Sequence, residues 1–129
     1  PSMKEMSDIA FGWEIARAIG EVDIGQCVVI KDRVVVAVEA VDGTDQAIRR
    51  GGELGTDGVV VVKRCKPQQD LRFDLPAVGP QTIATMASVR ATVLAVEAHR
   101  TVLLDREDTL RQAEAAGIAI IGLVAAPRT

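Results

Sequence analysis

The chain has 129 residues and a net charge of −3, and its composition is 48% hydrophobic but only 2% aromatic. That length suits one domain that buries roughly two thirds of its unfolded surface, around a core of Val, Ile, Leu and Ala. The shortage of aromatics excludes the stacking platforms of single-stranded nucleic-acid binders, and the charge offers no field to attract a polyanion, so no nucleic-acid partner is expected. No apolar run approaches the ~20 residues of a membrane span. Cys27 and Cys65 lack a CxxC spacing and read as reduced thiols acting as small hydrophobes. Pro1-Ser2 ahead of Met3 reads as a cloning scar rather than a targeting element, and the expected compartment is the cytoplasm.

From Asp8 to Ile19, Ile9, Phe11, Ile15, Ala16 and Ile19 mix helical spacings with Glu14 and Arg17, and Gly20 can end the helix. Cys27 to Ile30 and Val34 to Ala40 read as strands joined at Lys31-Asp32-Arg33, a hairpin-length connection. A helix then begins near Ala47, with Thr44 or Asp42 as its N-cap, and stops at Gly51-Gly52 or Gly55. Gly58 to Val62 is a β-branched run that fits a strand buried on both faces and delivers Lys63 at its end. Pro67 and Pro76 bracket a loop, and Gly79-Pro80 opens a helix with Pro80 in its first turn. Thr92 to Ala98 and Thr101 to Leu104 read as a second hairpin turning at His99-Arg100. A helix from Glu107 to Ala116, a stop at Gly117 and a buried strand from Ile118 to Leu123 complete the chain. Asp42-Gly43-Thr44-Asp45 and Asp105-Arg106-Glu107-Asp108 form an echo of acidic turns before helices, read as architectural. The expected class is α/β, a single domain over residues 1–129, with a mixed sheet, β-hairpins and helices packed on it.

Polar chemistry concentrates in Lys63 to Asp74, directly after the most hydrophobic run. Its cations, Lys63, Arg64, Lys66 and Arg72, can clamp phosphate oxygens, and Asp70 and Asp74 can hold a hard ion such as magnesium. In an extended segment Asp70, Arg72 and Asp74 share a face with the outer two ~13 Å apart, at ~3.3 Å per residue. They could not then share one metal, unless the chain turns sharply between them. A solvated loop with surface ion pairs is the plain alternative. Glu39 with Asp42 to Asp45 at a helix start is a second candidate, where backbone N–H groups bind anions and the acids bind metal or act as caps. Arg49 and Arg50 follow one turn later. His99, the only histidine, reads as an exposed turn residue, and Trp13 as core packing. No Ser/His/Asp or Cys/His triad assembles without forcing distant residues together, and His and Cys are too few for zinc.

Three strings carry a resemblance: Val38-Glu39-Ala40-Val41-Asp42-Gly43-Thr44-Asp45, Lys63 with Lys66-Pro67-Gln68-Gln69-Asp70-Leu71-Arg72-Phe73-Asp74-Leu75-Pro76, and Val78-Gly79-Pro80 with Thr82. Together they resemble the C-terminal domain of the LpxI-type UDP-2,3-diacylglucosamine pyrophosphatases over nearly the whole chain. The resemblance implies magnesium-dependent hydrolysis of UDP-2,3-diacylglucosamine to UMP and 2,3-diacylglucosamine 1-phosphate (lipid X), with attack at the β-phosphorus, in lipid A synthesis. It also implies a peripheral enzyme of the cytoplasmic face of the inner membrane, and an N-terminal domain that does not precede this chain. Carried over, it makes Asp70 and Asp74 the magnesium-linked catalytic carboxylates, with Lys63 beside them. Lys66, Gln69, Arg72, Glu39, Gly43, Thr44, Asp45 and Arg49 would meet the substrate. The competing reading is a non-catalytic nucleotide-sugar or lipid-binding module, or a homodimerisation module whose aliphatic strands pair across chains.

Overall fold

β-branched runs build the sheet of this chain, and the charged or alanine-rich stretches between them build its helices. The computed structural model describes residues 1–67 and 75–124. In chain order these hold α1 (Met3–Glu21), β1 (Cys27–Lys31), β2 (Val34–Val38), α2 (Thr44–Gly55), β3 (Val60–Lys63), β4 (Ala77–Val78), α3 (Pro80–Ser88), β5 (Val93–Glu97), β6 (Val102–Leu103), α4 (Arg106–Ala115) and β7 (Ala119–Leu123). Five strands form one mixed sheet in the order β2-β1-β3-β5-β7, and β4 pairs with β6 in a small parallel sheet. The expected α/β class is what forms.

Strand direction decides where the helices start. β1 is antiparallel to both β2 and β3, whereas β3, β5 and β7 are mutually parallel. β2 therefore runs in the same direction as β3, β5 and β7. The helices that follow β2, β3 and β5, namely α2, α3 and α4, all begin at the carboxyl end of the sheet.

Alternation along β3 sends side chains to two cores. Val59 and Val61 join Ile48, Ile83, Met86 and Ala113 under α2, α3 and α4, while Val60 and Val62 meet Ile9, Ala16 and Ile19 of α1. Both faces are covered, which is why β1, β3 and β5 read as unbroken apolar runs. α1 lies close on the sheet at Gly12, where a Cβ would come 2.8 Å from Ile30 Cγ1 and 2.9 Å from Val62 Cγ2.

Three expectations need correction. α1 starts well before Asp8, because Ser2 caps it: the Ser2 hydroxyl accepts from the Glu5 N–H, and the Glu5 carboxylate accepts from the Ser2 N–H. Ser2 is thus part of the fold's local structure. The N-cap of α2 is Gly43, at φ 89°, rather than Thr44 or Asp42. The hairpin over 92–104 does not form, since β5 already has β3 and β7 on its two sides and leaves no edge for β6. His99, exposed and at φ 66°, turns the chain away, and β6 pairs with β4 instead. The first hairpin does form, with a tight two-residue turn at Asp32 (φ 52°) and Arg33 (φ 58°), the left-handed geometry that matches strand twist. Neither residue is glycine, and α1 holds the turn: buried Asp8 accepts from the Arg33 N–H at 2.8 Å, and Lys4 pairs with Asp32.

Candidate functional site

Three helix N-termini converge on one cleft at the carboxyl end of the sheet. The cleft holds about 450 Å³ and is walled by Asp42 to Asp45 at the start of α2, by Ala77 and Gly79 to Thr82 at the start of α3, and by Leu104 and Asp105 at the start of α4, with Lys63 also lining it. Crevices outside the carboxyl ends of strands are where open α/β sheets bind ligands.

None of these three helix starts carries a side-chain cap. Gly43 and Gly79 have no side chain to offer, and Asp105, in left-handed geometry at φ 43°, makes no capping hydrogen bond. α1, whose start does not line the cleft, has the full capping box of Ser2 and Glu5. The first N–H groups of a helix lack intrahelical acceptors, so uncapped starts present donors and the positive end of the helix dipole. Pro80 suits the first turn of α3, where its missing N–H is not needed, and the Thr82 hydroxyl accepts from the Gly79 N–H at 3.3 Å.

Lys63 adds a full positive charge. As the last residue of β3, on the same face as Val61 and Val59, it is carried into the cleft while Arg64 goes to the opposite face under α1. Lys63 as a residue is only 9% exposed, and its ammonium donates to the Ala77 carbonyl at 3.0 Å, which ties β3 to β4. Cys27, paired in register with Lys63, is fully buried. Burial first, and the nearby Glu39 charge second, push its thiol to about 12, with Lys63 opposing, so Cys27 is no nucleophile at neutral pH.

The acids of the wall are mostly engaged. The Asp42 carboxyl is held below its usual range first by the Ala40 N–H, and then by Arg50, whose guanidinium lies 3.0 Å away. Asp45 accepts from the Gln81 side chain at 3.0 Å, linking α2 to α3. Among the described residues no group of three or more His, Cys, Asp or Glu gathers to hold a metal ion.

The sequence candidates therefore separate. Lys63, Gly43, Thr44 and Asp45 come together in the cleft. Glu39 lies behind it, buried at 8% exposure, where its carboxylate accepts from the Gln26 N–H at 2.7 Å and from the Thr44 hydroxyl. Arg49 is exposed on α2 outside the lining, and Lys66 pairs with Asp23 at 3.0 Å near the end of α1. Gln69, Asp70, Arg72 and Asp74 lie outside the described residues. Sequence reasoning missed Gln81, Leu104 and Asp105. The echo between the two acidic helix starts was the available signal, since both now prove to face one cleft.

Residues 1–121 match the family model of the LpxI C-terminal domain. The chain is 35% identical over 132 aligned residues to UDP-2,3-diacylglucosamine pyrophosphatase LpxI of Caulobacter vibrioides (strain ATCC 19089 / CIP 103742 / CB 15), covering 95% of this chain and 47% of that protein. It thus spans about half the length of the curated relative that it matches. Among solved structures, Acinetobacter baumannii RibD, form 1, is similar at a TM-score of 0.48 and 15% identity, covering 92% of this chain and 34% of that one. On the family match, the chain belongs to the LpxI C-terminal domain family.

Proposed function

We propose that this chain binds and hydrolyses the pyrophosphate of UDP-2,3-diacylglucosamine, releasing UMP and 2,3-diacylglucosamine 1-phosphate. Family membership supports this choice of substrate, which is the one named for the curated relative. The observation that carries the reading is the cleft itself: three uncapped helix starts and a buried lysine directed at one space. That arrangement suits a polyanion whose charge grows at the attacked phosphorus. Lys63 and the amides of the helix starts would hold the phosphate oxygens. Water forms the new P–O bond, the bridging P–O bond breaks, and the electron pair leaves on the departing phosphate.

The magnesium that the resemblance implies finds no cluster of ligands among the described residues, where Asp42 is already paired with Arg50 and Asp45 with Gln81. Asp70 and Asp74 are its proposed ligands, on the sequence motif alone. Magnesium there would neutralise charge on the phosphate oxygens. A substrate with two acyl chains partitions to a bilayer surface, so the proposed place of work is the membrane face. No helix among the described residues is long and apolar enough to cross a membrane.

The test is UMP release from UDP-2,3-diacylglucosamine by this chain with magnesium, with chelator, and in Asp70→Ala, run in ¹⁸O-water. Magnesium-dependent turnover lost in the variant, with label in the lipid phosphate, is the expected result. A folded chain that releases no UMP, even when supplemented with the N-terminal domain of a relative, overturns the reading.

A further inference from the structure

The Glu39 carboxylate has both oxygens engaged by the chain's own donors: Oε1 by the Gln26 N–H at 2.7 Å, and Oε2 by the Thr44 hydroxyl. Its backbone N–H extends the β1–β2 ladder to the Cys27 carbonyl at 2.8 Å. The fit behind it is tight, since a Cβ on Gly25 would lie 2.2 Å from the Glu39 carbonyl oxygen and 3.1 Å from Oε1. Only a glycine at 25 leaves the carboxylate where it is. One buried side chain thus links the entry to β1, the end of β2 and the first residue of α2. Because Gly43 gives α2 no side-chain cap, the Glu39–Thr44 bond is a side-chain tie between the first residue of this helix and the end of β2, beside the bond from Arg50 to the Val38 carbonyl.

We propose that Glu39 is a positioning residue of the cleft, and that it sets the polarity of Thr44. A hydroxyl has one proton and two acceptor lone pairs. With its proton committed to Glu39, Thr44 offers the cleft an oxygen that can only accept. The ligand group that meets it is a donor, such as a sugar hydroxyl or an amide N–H, and phosphate oxygens are left to Lys63 and the helix amides. This rests on the reading of the cleft as the substrate site.

The test uses the whole chain with Glu39→Gln, Thr44→Val, Thr44→Ser and the Glu39→Gln/Thr44→Val double variant. Without ligand, amide hydrogen exchange is followed at Ala47, whose N–H bonds to the Gly43 carbonyl, and at Gln26. Thr44→Val is expected to speed exchange at Ala47 and spare Gln26, and Thr44→Ser to restore it. With UDP-2,3-diacylglucosamine, Glu39→Gln keeps both neighbours but donates to Thr44 instead of accepting. It is expected to raise KM about 5- to 10-fold, the size of one hydrogen bond, with a smaller fall in kcat. The double variant should be no worse than Thr44→Val alone. Unchanged exchange at Ala47 in Thr44→Val overturns the proposal, as does an unchanged KM in a Glu39→Gln enzyme that turns over. If the parent chain turns over nothing even with the N-terminal domain of a relative added, while the exchange pattern is as expected, the positioning role stands and the proposed reaction falls.

Discussion

Arg64 and Glu97 meet across the parallel strands β3 and β5, Nε to Oε1 at 3.2 Å, with side chains only 10% and 4% exposed. The same carboxylate oxygen accepts from the Cys65 N–H at 2.9 Å. The guanidinium donates to the Trp13 carbonyl at 3.0 Å and lies 4.2 Å from the Trp13 ring centroid. The chain immediately after β3 is therefore pinned to β5 and α1 through one buried pair. Removing a single partner leaves a charge without compensation, a cost of about 3–5 kcal/mol. Glu97→Ala is accordingly expected to lower the urea midpoint steeply, and Glu97→Gln, which still accepts from Cys65, to lower it less. Equal losses for the two variants would mean that the pair contributes shape rather than charge compensation.

α2 packs by close backbone approach. A Cβ on Gly51 would sit 2.5 Å from Val29 Cβ, and one on Gly52 would sit 2.3 Å from Val89 Cβ. Alanine is the better helix former by about 1 kcal/mol, so propensity alone predicts that Gly51→Ala stabilises. The clash is with a β-branched carbon fixed in the middle of β1, which cannot rotate away, and overpacking of this kind costs about 1–3 kcal/mol. Thermal denaturation should show Gly51→Ala and Gly52→Ala both less stable than the parent. Gly117→Ala is a useful contrast: nothing lies within 4 Å, but φ is +71°, so its loss should be near the 1–2 kcal/mol of left-handed strain alone.

What could be read beforehand follows from how local each signal is. β1 and β3 were legible as apolar runs because both of their faces are buried, and Lys63 was legible as a strand-end residue because the run stops there. β6 was not, since a two-residue strand that pairs with β4 across the fold has no periodicity of its own. The convergence of Asp45, Gln81 and Asp105 has no signal in the sequence beyond the echo of the two acidic helix starts. It depends on β1 being reversed against both neighbours, which aligns β2 with β3 and β5 and brings three helix starts to one end. The motif that carries the resemblance puts Glu39 among the substrate contacts. The place of Glu39 behind the cleft depends on the close approach of Gly25 and on the bond from the Thr44 hydroxyl, neither of which a linear pattern encodes.

Cys27 should shape the alkaline limb of stability. Its thiol is shifted from 9.0 to about 12 by burial, so the folded state keeps its proton where the unfolded chain releases it. The contribution is fully present below pH ~9 and is lost between about 9 and 12, at most about 4 kcal/mol for a shift of this size. On the acid side Glu5 acts in the opposite sense: the Thr92 hydroxyl holds its carboxyl below 4.5, so that contribution is present above that value and fades as pH falls through the folded value. Unfolding free energies measured from pH 8 to 11 should fall more steeply for the parent than for Cys27→Ala. Parallel slopes would show that other groups govern that limb.

Lys63 is the buried cation of the cleft, and its contribution to anion binding can be separated from its contribution to the fold. Lys63→Met keeps the length and the apolar stem against the β3 core but removes the charge and the bond to the Ala77 carbonyl. Loss of a charged hydrogen bond to phosphate corresponds to about 1.5–3 kcal/mol, or roughly 10- to 100-fold in affinity. Titration calorimetry with inorganic pyrophosphate should register that loss, together with a weaker dependence of the remaining affinity on salt. The thermal midpoint should drop only by what an unpaired Ala77 carbonyl costs. Affinity that is unchanged in a folded Lys63→Met chain would show that the helix amides hold the anion without it, and would remove Lys63 from the proposed reaction.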